Sequence, residues 1–175
     1  MNIVKERKAI DAALDDYRAR LDLIPDEKFT ETPPGGGWSY AEVYSHILQA
    51  TLGSFIAIER CCHNNCEPTN KKMNFLGRLV MTIGRFPIRL KVPEKLTARM
   101  PALKISKEEA RNLLIKCRKR LDEVTPLIKD ALPGARYKHM RLGMLNANQW
   151  FKFIKIHLQH HFKQLGRIEK KFKTE

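Results

Sequence analysis

The apolar residues of this chain recur at three- and four-residue steps over four long stretches, the spacing of one helix face. Ile10, Leu14, Tyr17, Leu21 and Ile24 form the first stripe. A helix is expected over residues 3–24, stopped by Pro25-Asp26. A loop follows and ends in Pro33-Pro34-Gly35-Gly36-Gly37, a composition that cannot continue a helix. The second helix opens on Ser39 and Glu42, an S-x-x-E capping box, with Trp38 placed to staple against Val43. Val43, His46, Ile47, Ala50 and Ala57 make its inward face, and it ends near 61–65, before Pro68. The third helix opens on a second box, Ser106 with Glu109. It buries Ala110, Leu113, Leu114, Cys117, Leu121, Val124 and Ile128, is kinked or ended by Pro126, and is closed by Pro133-Gly134. Residues 135–145 read as a loop. Asn146 with Gln149 makes a third box and Leu145 with Trp150 a staple, so the fourth helix runs from there to about residue 172.

Residues 66–105 interrupt this regularity. A short basic helix is expected over 73–85, and Pro87, Pro93 and Pro101 make the remainder irregular. A connection this long is one that crosses the bundle or covers a site. Apolar alternation is nowhere sustained enough for a strand. The pattern predicts an all-α protein, an antiparallel-type four-helix bundle, folded as one domain over residues 1–175.

Composition narrows the class. With 175 residues and 43% hydrophobic side chains the chain can bury a full core. No apolar run follows Met1, so no signal peptide is read and the cytoplasm is the expected location. The most apolar segment, 73–92, is broken by Arg78, Arg85, Pro87 and Arg89, which excludes a membrane span. Cys61, Cys62, Cys66 and Cys117 lack the spacing of a disulfide framework and are expected to be free thiols. Cys62 and Cys66 stand four apart, but too few further ligands lie near them for a metal site. The net charge of +14 is lopsided: residues 1–70 carry 7 basic and 11 acidic side chains, residues 71–175 carry 26 and 8. That field attracts nucleic acid, an anionic membrane surface or a small anionic substrate; a solubilising lysine surface explains it equally well.

The candidate chemistry lies in the fourth helix, in His157-Leu158-Gln159-His160-His161. With His157 at zero and 100° per residue, Trp150 and Ile168 fall at about 20°, His161 at about 40°, Ile154 at about 60° and Leu165 at about 80°. His161 is central to the apolar stripe and His157 at its edge. His160 is displaced by about 100° from His161, toward Phe153. Side chains four apart on a helix reach one point, so His157 and His161 form a chelating pair, and inward His46 supplies a third imidazole from the second helix. His160 is a flanking residue able to orient a ligand or pass a proton. Core histidines that hydrogen-bond within the bundle are the ordinary alternative. Three protein ligands leave a position open, as in catalytic zinc sites, where bound water or thiol is acidified. Zinc, nickel, iron and manganese all accept such ligands, and zinc or nickel is the leading expectation. Leu158 occupies the place of the glutamate in an H-E-x-x-H helix, so this is not that metalloprotease motif.

Two groups of residues resemble the DinB/YfiT-like family of metalloenzymes. The first is Gly36-Gly37-Trp38-Ser39 leading to Glu42, Val43 and His46; the second is His139, Gly143, Leu145-Asn146 and Gln149-Trp150, then His157, His161, Gln164 and Ile168. The resemblance implies a four-helix bundle holding one divalent metal by three histidines, which fall on His46, His157 and His161. It also implies chemistry: members include transferases and isomerases that use a low-molecular-weight thiol, and others described as hydrolases.

The leading expectation is therefore a metal-dependent enzyme acting on a small molecule, as a thiol-dependent S-transferase or a hydrolase. A metal would deprotonate the thiol outright. Arg and Lys of the basic half would hold the thiol's carboxylates. The alternative is a stress-response or nucleic-acid-associated bundle with a structural metal. Nucleic-acid binding, through Lys71, Lys72, Arg78, Arg85, Arg89 and Lys91, is expected to be weak and non-specific, since no DNA-reading motif is present. A homodimer is a further expected assembly.

Overall fold

The four stripes become four long helices, each starting at a capped residue. The computed structural model describes residues 1–63, 65–66, 69–87, 102–132 and 134–174. Helix α1 (Ile3–Leu23) begins where the Asn2 side chain accepts from Lys5 N, and it buries Ile10, Leu14, Tyr17 and Leu21. A four-residue helix, α2 (Asp26–Phe29), then occupies part of the expected loop and buries Phe29 against the core. The sequence reading missed it because one turn is too short to show a period.

Gly35, Gly36 and Gly37 all have positive φ, a run that residues with a Cβ rarely adopt, and they deliver the chain to Ser39. The Ser39–Glu42 box is formed in both directions and starts α3 (Tyr40–Cys62). Val43, Ile47 and Ala57 are buried as expected. Helix α4 (Phe75–Ile83) falls within the expected 73–85, capped by the Asn74 side chain and ended by Gly84 in the left-handed region. Pro93, Pro101, Arg89 and Lys91 lie outside the described residues, as does Pro68. Helix α5 (Lys107–Val124) opens on the Ser106–Glu109 box and passes at Pro126 into a 3-10 turn, Thr125–Asp130. Helix α6 (Ala147–Lys173) opens on the Asn146–Gln149 box and is the longest element described.

Residues 135–145 correct the sequence reading. They hold a β-hairpin, β1 (Tyr137–His139) and β2 (Gly143–Leu145), paired Tyr137↔Leu145, Lys138↔Met144 and His139↔Gly143. Three-residue strands cannot display alternation. The hairpin is held by what it touches. His139 Nδ1 accepts from Arg141 N and Leu142 N, closing the turn. Asn74 N donates to Leu142 O at 3.0 Å, and Asn74 Nδ2 donates to Arg141 O at 2.8 Å, tying the start of α4 to the turn.

Helices α1 and α3 each pack on both α5 and α6, so they occupy opposite corners of the bundle. The most extensive pairing is α3 with α6. Buried tyrosines link three corners: Tyr44 Oη donates to Tyr17 O, and Tyr17 Oη to Leu158 O. Arg7–Asp122, Arg118–Asp15 and Arg111–Asp22 run between α1 and α5 at the surface, where ion pairs of this kind are each worth at most about 1 kcal/mol. All four cysteines are free, with Cys66 Sγ 3.7 Å from Cys61 Sγ. No described helix is long and apolar enough to cross a membrane.

Candidate metal centre

Because α3 packs mainly on α6, a polar side chain on the facing stripe of each helix must meet its counterpart. His46 lies two turns into α3, and His157 and His161 lie one turn apart near the middle of α6. One ring nitrogen from each lies within 4.8 Å of the other two. His157 Nε2 and His161 Nε2 are 3.0 Å apart. Nitrogens held about 2.0–2.1 Å from one tetrahedral zinc stand about 3.3 Å from each other. Small side-chain adjustments would therefore bring the three imidazoles onto one cation. No carboxylate or thiol joins this group among the described residues.

The protonation pattern suits a ligand set. His161 Nδ1 lies 2.8 Å from Gln164 Oε1, an oxygen that only accepts, so Nδ1 carries the proton and Nε2 is left as the acceptor, 3.0 Å from His157 Nε2. Burial pushes the pKa of His157 well below the usual histidine range, followed by the charges of His161 and His46. His161 is lowered in the same way, by burial and then by His46, and His46 by burial and then by His160. The three rings are thus neutral at neutral pH, the form that binds a cation.

Aromatic rings wall the group. Trp38, expected to staple against Val43, has its ring 5.2 Å from His46 and stacked at 6.4 Å on His161. Phe153 stacks on His157 at 5.0 Å and continues to His139 at 4.6 Å. The His139 pKa is pushed down to about 4, by burial first and then by Arg141.

The structure separates the adjacent histidines as the wheel predicts. His160 is not in the cluster; its ring stands 5.0 Å from His161, nearly perpendicular, and 4.8 Å from Phe86. Gln164, not His160, hydrogen-bonds a cluster ring. Its position three residues after His161, on the same face, was the available signal. Trp38 and Phe86 carried no such signal, because their neighbours in space come from other helices.

The profile of the DinB superfamily matches residues 9–165. Among solved structures, the chain is similar to YfiT from Bacillus subtilis, described as "a probable metal-dependent hydrolase with an unusual four-helix bundle topology". The identity is 13%, the match covers 96% of this chain and 86% of that one, and the TM-score is 0.63. It is also similar to TT2238, described as a four-helix bundle protein, at 20% identity over 94% of this chain and 96% of that one, with a TM-score of 0.56. No curated protein matches the sequence significantly.

Proposed function

We propose, for a chain that belongs to the DinB superfamily, that His46, His157 and His161 bind one divalent metal and that the protein is a metal-dependent enzyme acting on a small molecule. One observation carries this reading: three imidazoles converge from two helices with no fourth protein donor beside them among the described residues. A closed structural site would ordinarily have that fourth donor. Neutral donors leave the ion's charge uncompensated, so zinc or nickel here would acidify a coordinated water or thiol and polarise an electrophile.

The chain's own residues supply position and environment. Gln164 holds the His161 ring in the tautomer that presents Nε2. Trp38 and Phe153 cover the faces of His161 and His157, limiting both ring rotation and water access. With a cation bound, acidification would come from the metal, so no side-chain base would be needed beside the cluster. Thiol-dependent S-transfer is the favoured reaction and hydrolysis the second. The description of YfiT as a probable metal-dependent hydrolase supports the second.

Metal analysis of purified protein, alongside the His161→Ala variant, tests the first step. About one ion per chain is expected, lost in the variant. The reaction is then tested with zinc- or nickel-loaded protein, once with a low-molecular-weight thiol plus an electrophile and once with a hydrolysable ester. Turnover that needs the thiol supports transfer, and turnover without it supports hydrolysis. Full metal loading with neither activity would favour a structural metal.

A further inference from the structure

A cleft of about 290 Å³ lies on the flank of α6 beside the histidine cluster, lined by Arg85, Phe86, Pro87, Ile156, Gln159, His160 and Lys163. The α6 residues among these sit at i, i+3, i+4 and i+7, one continuous strip of helix surface. Arg85 and Phe86 come from just beyond Gly84, whose left-handed conformation turns the chain out of α4 toward that strip. Among the described residues, the lining contains two cationic side chains and no carboxylate.

The face between α1 and α5 is built differently. The arginines of α1 and α5, including Arg7, Arg18, Arg20, Arg111, Arg118 and Arg120, are each engaged by an acidic side chain. Arg85 and Lys163 pair with no acid among the described residues, yet they face the same cleft. Two like charges across one cleft repel, and an anion between them removes the repulsion. A guanidinium fork matches a carboxylate or a phosphate, and an ammonium adds a point charge.

The cleft also has a direction. The Phe86 ring contacts His160 at 4.8 Å and lies 6.3 Å from His157, so the apolar end of the cleft abuts the cluster. Ile156, buried, continues that wall. Ligand clefts usually span about 300–1,000 Å³, and this one is at the small end, which suits a fragment of modest size.

We propose that Arg85 and Lys163 form an anion subsite beside the three-histidine cluster, taking a carboxylate or phosphate of a small substrate whose apolar portion lies along Phe86 toward the histidines. This rests on the proposed metal-dependent reading only for what the bound molecule would do next. Binding itself is separable from that reading. His160 becomes a wall between the anion and the reacting end.

The test is direct binding at low salt, by calorimetry or NMR titration. The probes are benzoate, phenyl phosphate and neutral benzyl alcohol, each added to metal-free and to zinc-loaded protein. Both anions are expected to bind the metal-free protein, with benzyl alcohol weaker by roughly tenfold or more. The stronger anion identifies the group: phenyl phosphate if the subsite prefers phosphate, benzoate if it prefers carboxylate. Arg85→Ala and Lys163→Ala should each cost roughly tenfold, while Lys116→Ala, removing an exposed cation of α5, should cost nothing beyond a general charge effect. All three positions are exposed, and unchanged circular dichroism will show that the variants fold. Metal content should be unchanged in the Arg85 and Lys163 variants. Anion binding that survives in His161→Ala while metal is lost supports the subsite even where the metal reading fails. Binding only to zinc-loaded protein, equal losses with Lys116→Ala, or no loss in the Arg85→Ala/Lys163→Ala double variant overturns it.

Discussion

Replacing Gln164 with leucine would perturb the proposed metal centre without removing any of its three candidate ligand nitrogens. Leucine fills similar space but cannot accept the Nδ1 proton of His161, now held at 2.8 Å. The ring is then free to rotate and to exchange tautomers, and the fraction presenting Nε2 to the site falls. Loss of such an orienting hydrogen bond typically costs 10–100-fold in metal affinity, or about 1.4–2.7 kcal/mol. Gln164 is half-buried on the surface of α6, so the helix should tolerate the change. His160→Ala should cost far less, within about threefold, because His160 makes ring contacts but does not orient a ligand nitrogen. His161→Ala should abolish binding, since it removes the central donor. The assay is a competition titration of dialysed protein against a chelator of known zinc affinity, for all three variants and the parent. The expected order of loss is His160→Ala, then Gln164→Leu, then His161→Ala. If His160→Ala empties the site while His161→Ala keeps it, or if Gln164→Leu binds like the parent, the assigned geometry is wrong.

The histidine pKa values also predict a pH dependence, and its sign follows from burial. A buried histidine lowered below its unfolded value of about 6.5 stays neutral in the fold while the unfolded chain takes up a proton. Stability of the metal-free protein should therefore fall as pH drops from about 6.5 toward 4, with His139 alone contributing up to about 3 kcal/mol by the bottom of that window. Thermal melts of the parent and of His139→Asn across that range will show it, and identical slopes would exclude the assignment. For the same reason metal affinity should hold down to about pH 6.5 and weaken only in more acid solution. A sharp loss between pH 7.5 and 6.5 would mean that the histidines titrate normally. Gly143→Ala should destabilise by more than about 2 kcal/mol in denaturant titrations, because φ is +85° and a Cβ would lie 2.7 Å from Asn74 N. Tyr17→Phe, which leaves the core volume intact but removes the bond to Leu158 O, should cost about 1 kcal/mol. Nucleic-acid retention should be weak and lost steeply with salt; a tight, sequence-selective complex would instead favour the nucleic-acid reading.

The helices were legible because their information is local. Ile10 through Leu21, the three capping boxes and the stop at Pro126 each depend on residues within a turn or two of one another, and each appears in the structure where the spacing puts it. The separation of His161 from His160 was legible for the same reason, since a helical phase is a property of one segment. The convergence of His46 with the α6 pair was only an inference from facing stripes. The pairing of α3 with α6 made it a distance. Other features depended on contacts between segments remote in sequence. The hairpin at 137–145 has strands too short for any period, and it forms where Lys72 to Asn74 cross Leu142 to Met144, about 70 residues away. Trp38 meets His161, Phe86 meets His160, and Arg85 shares a cleft with Lys163. Side-chain pattern declares which face a helix buries, whereas the neighbour that covers the face is chosen by packing across the whole bundle. The three histidines were therefore written in the sequence, while their surroundings, the aromatic wall and the cations beside it, came from the tertiary fold.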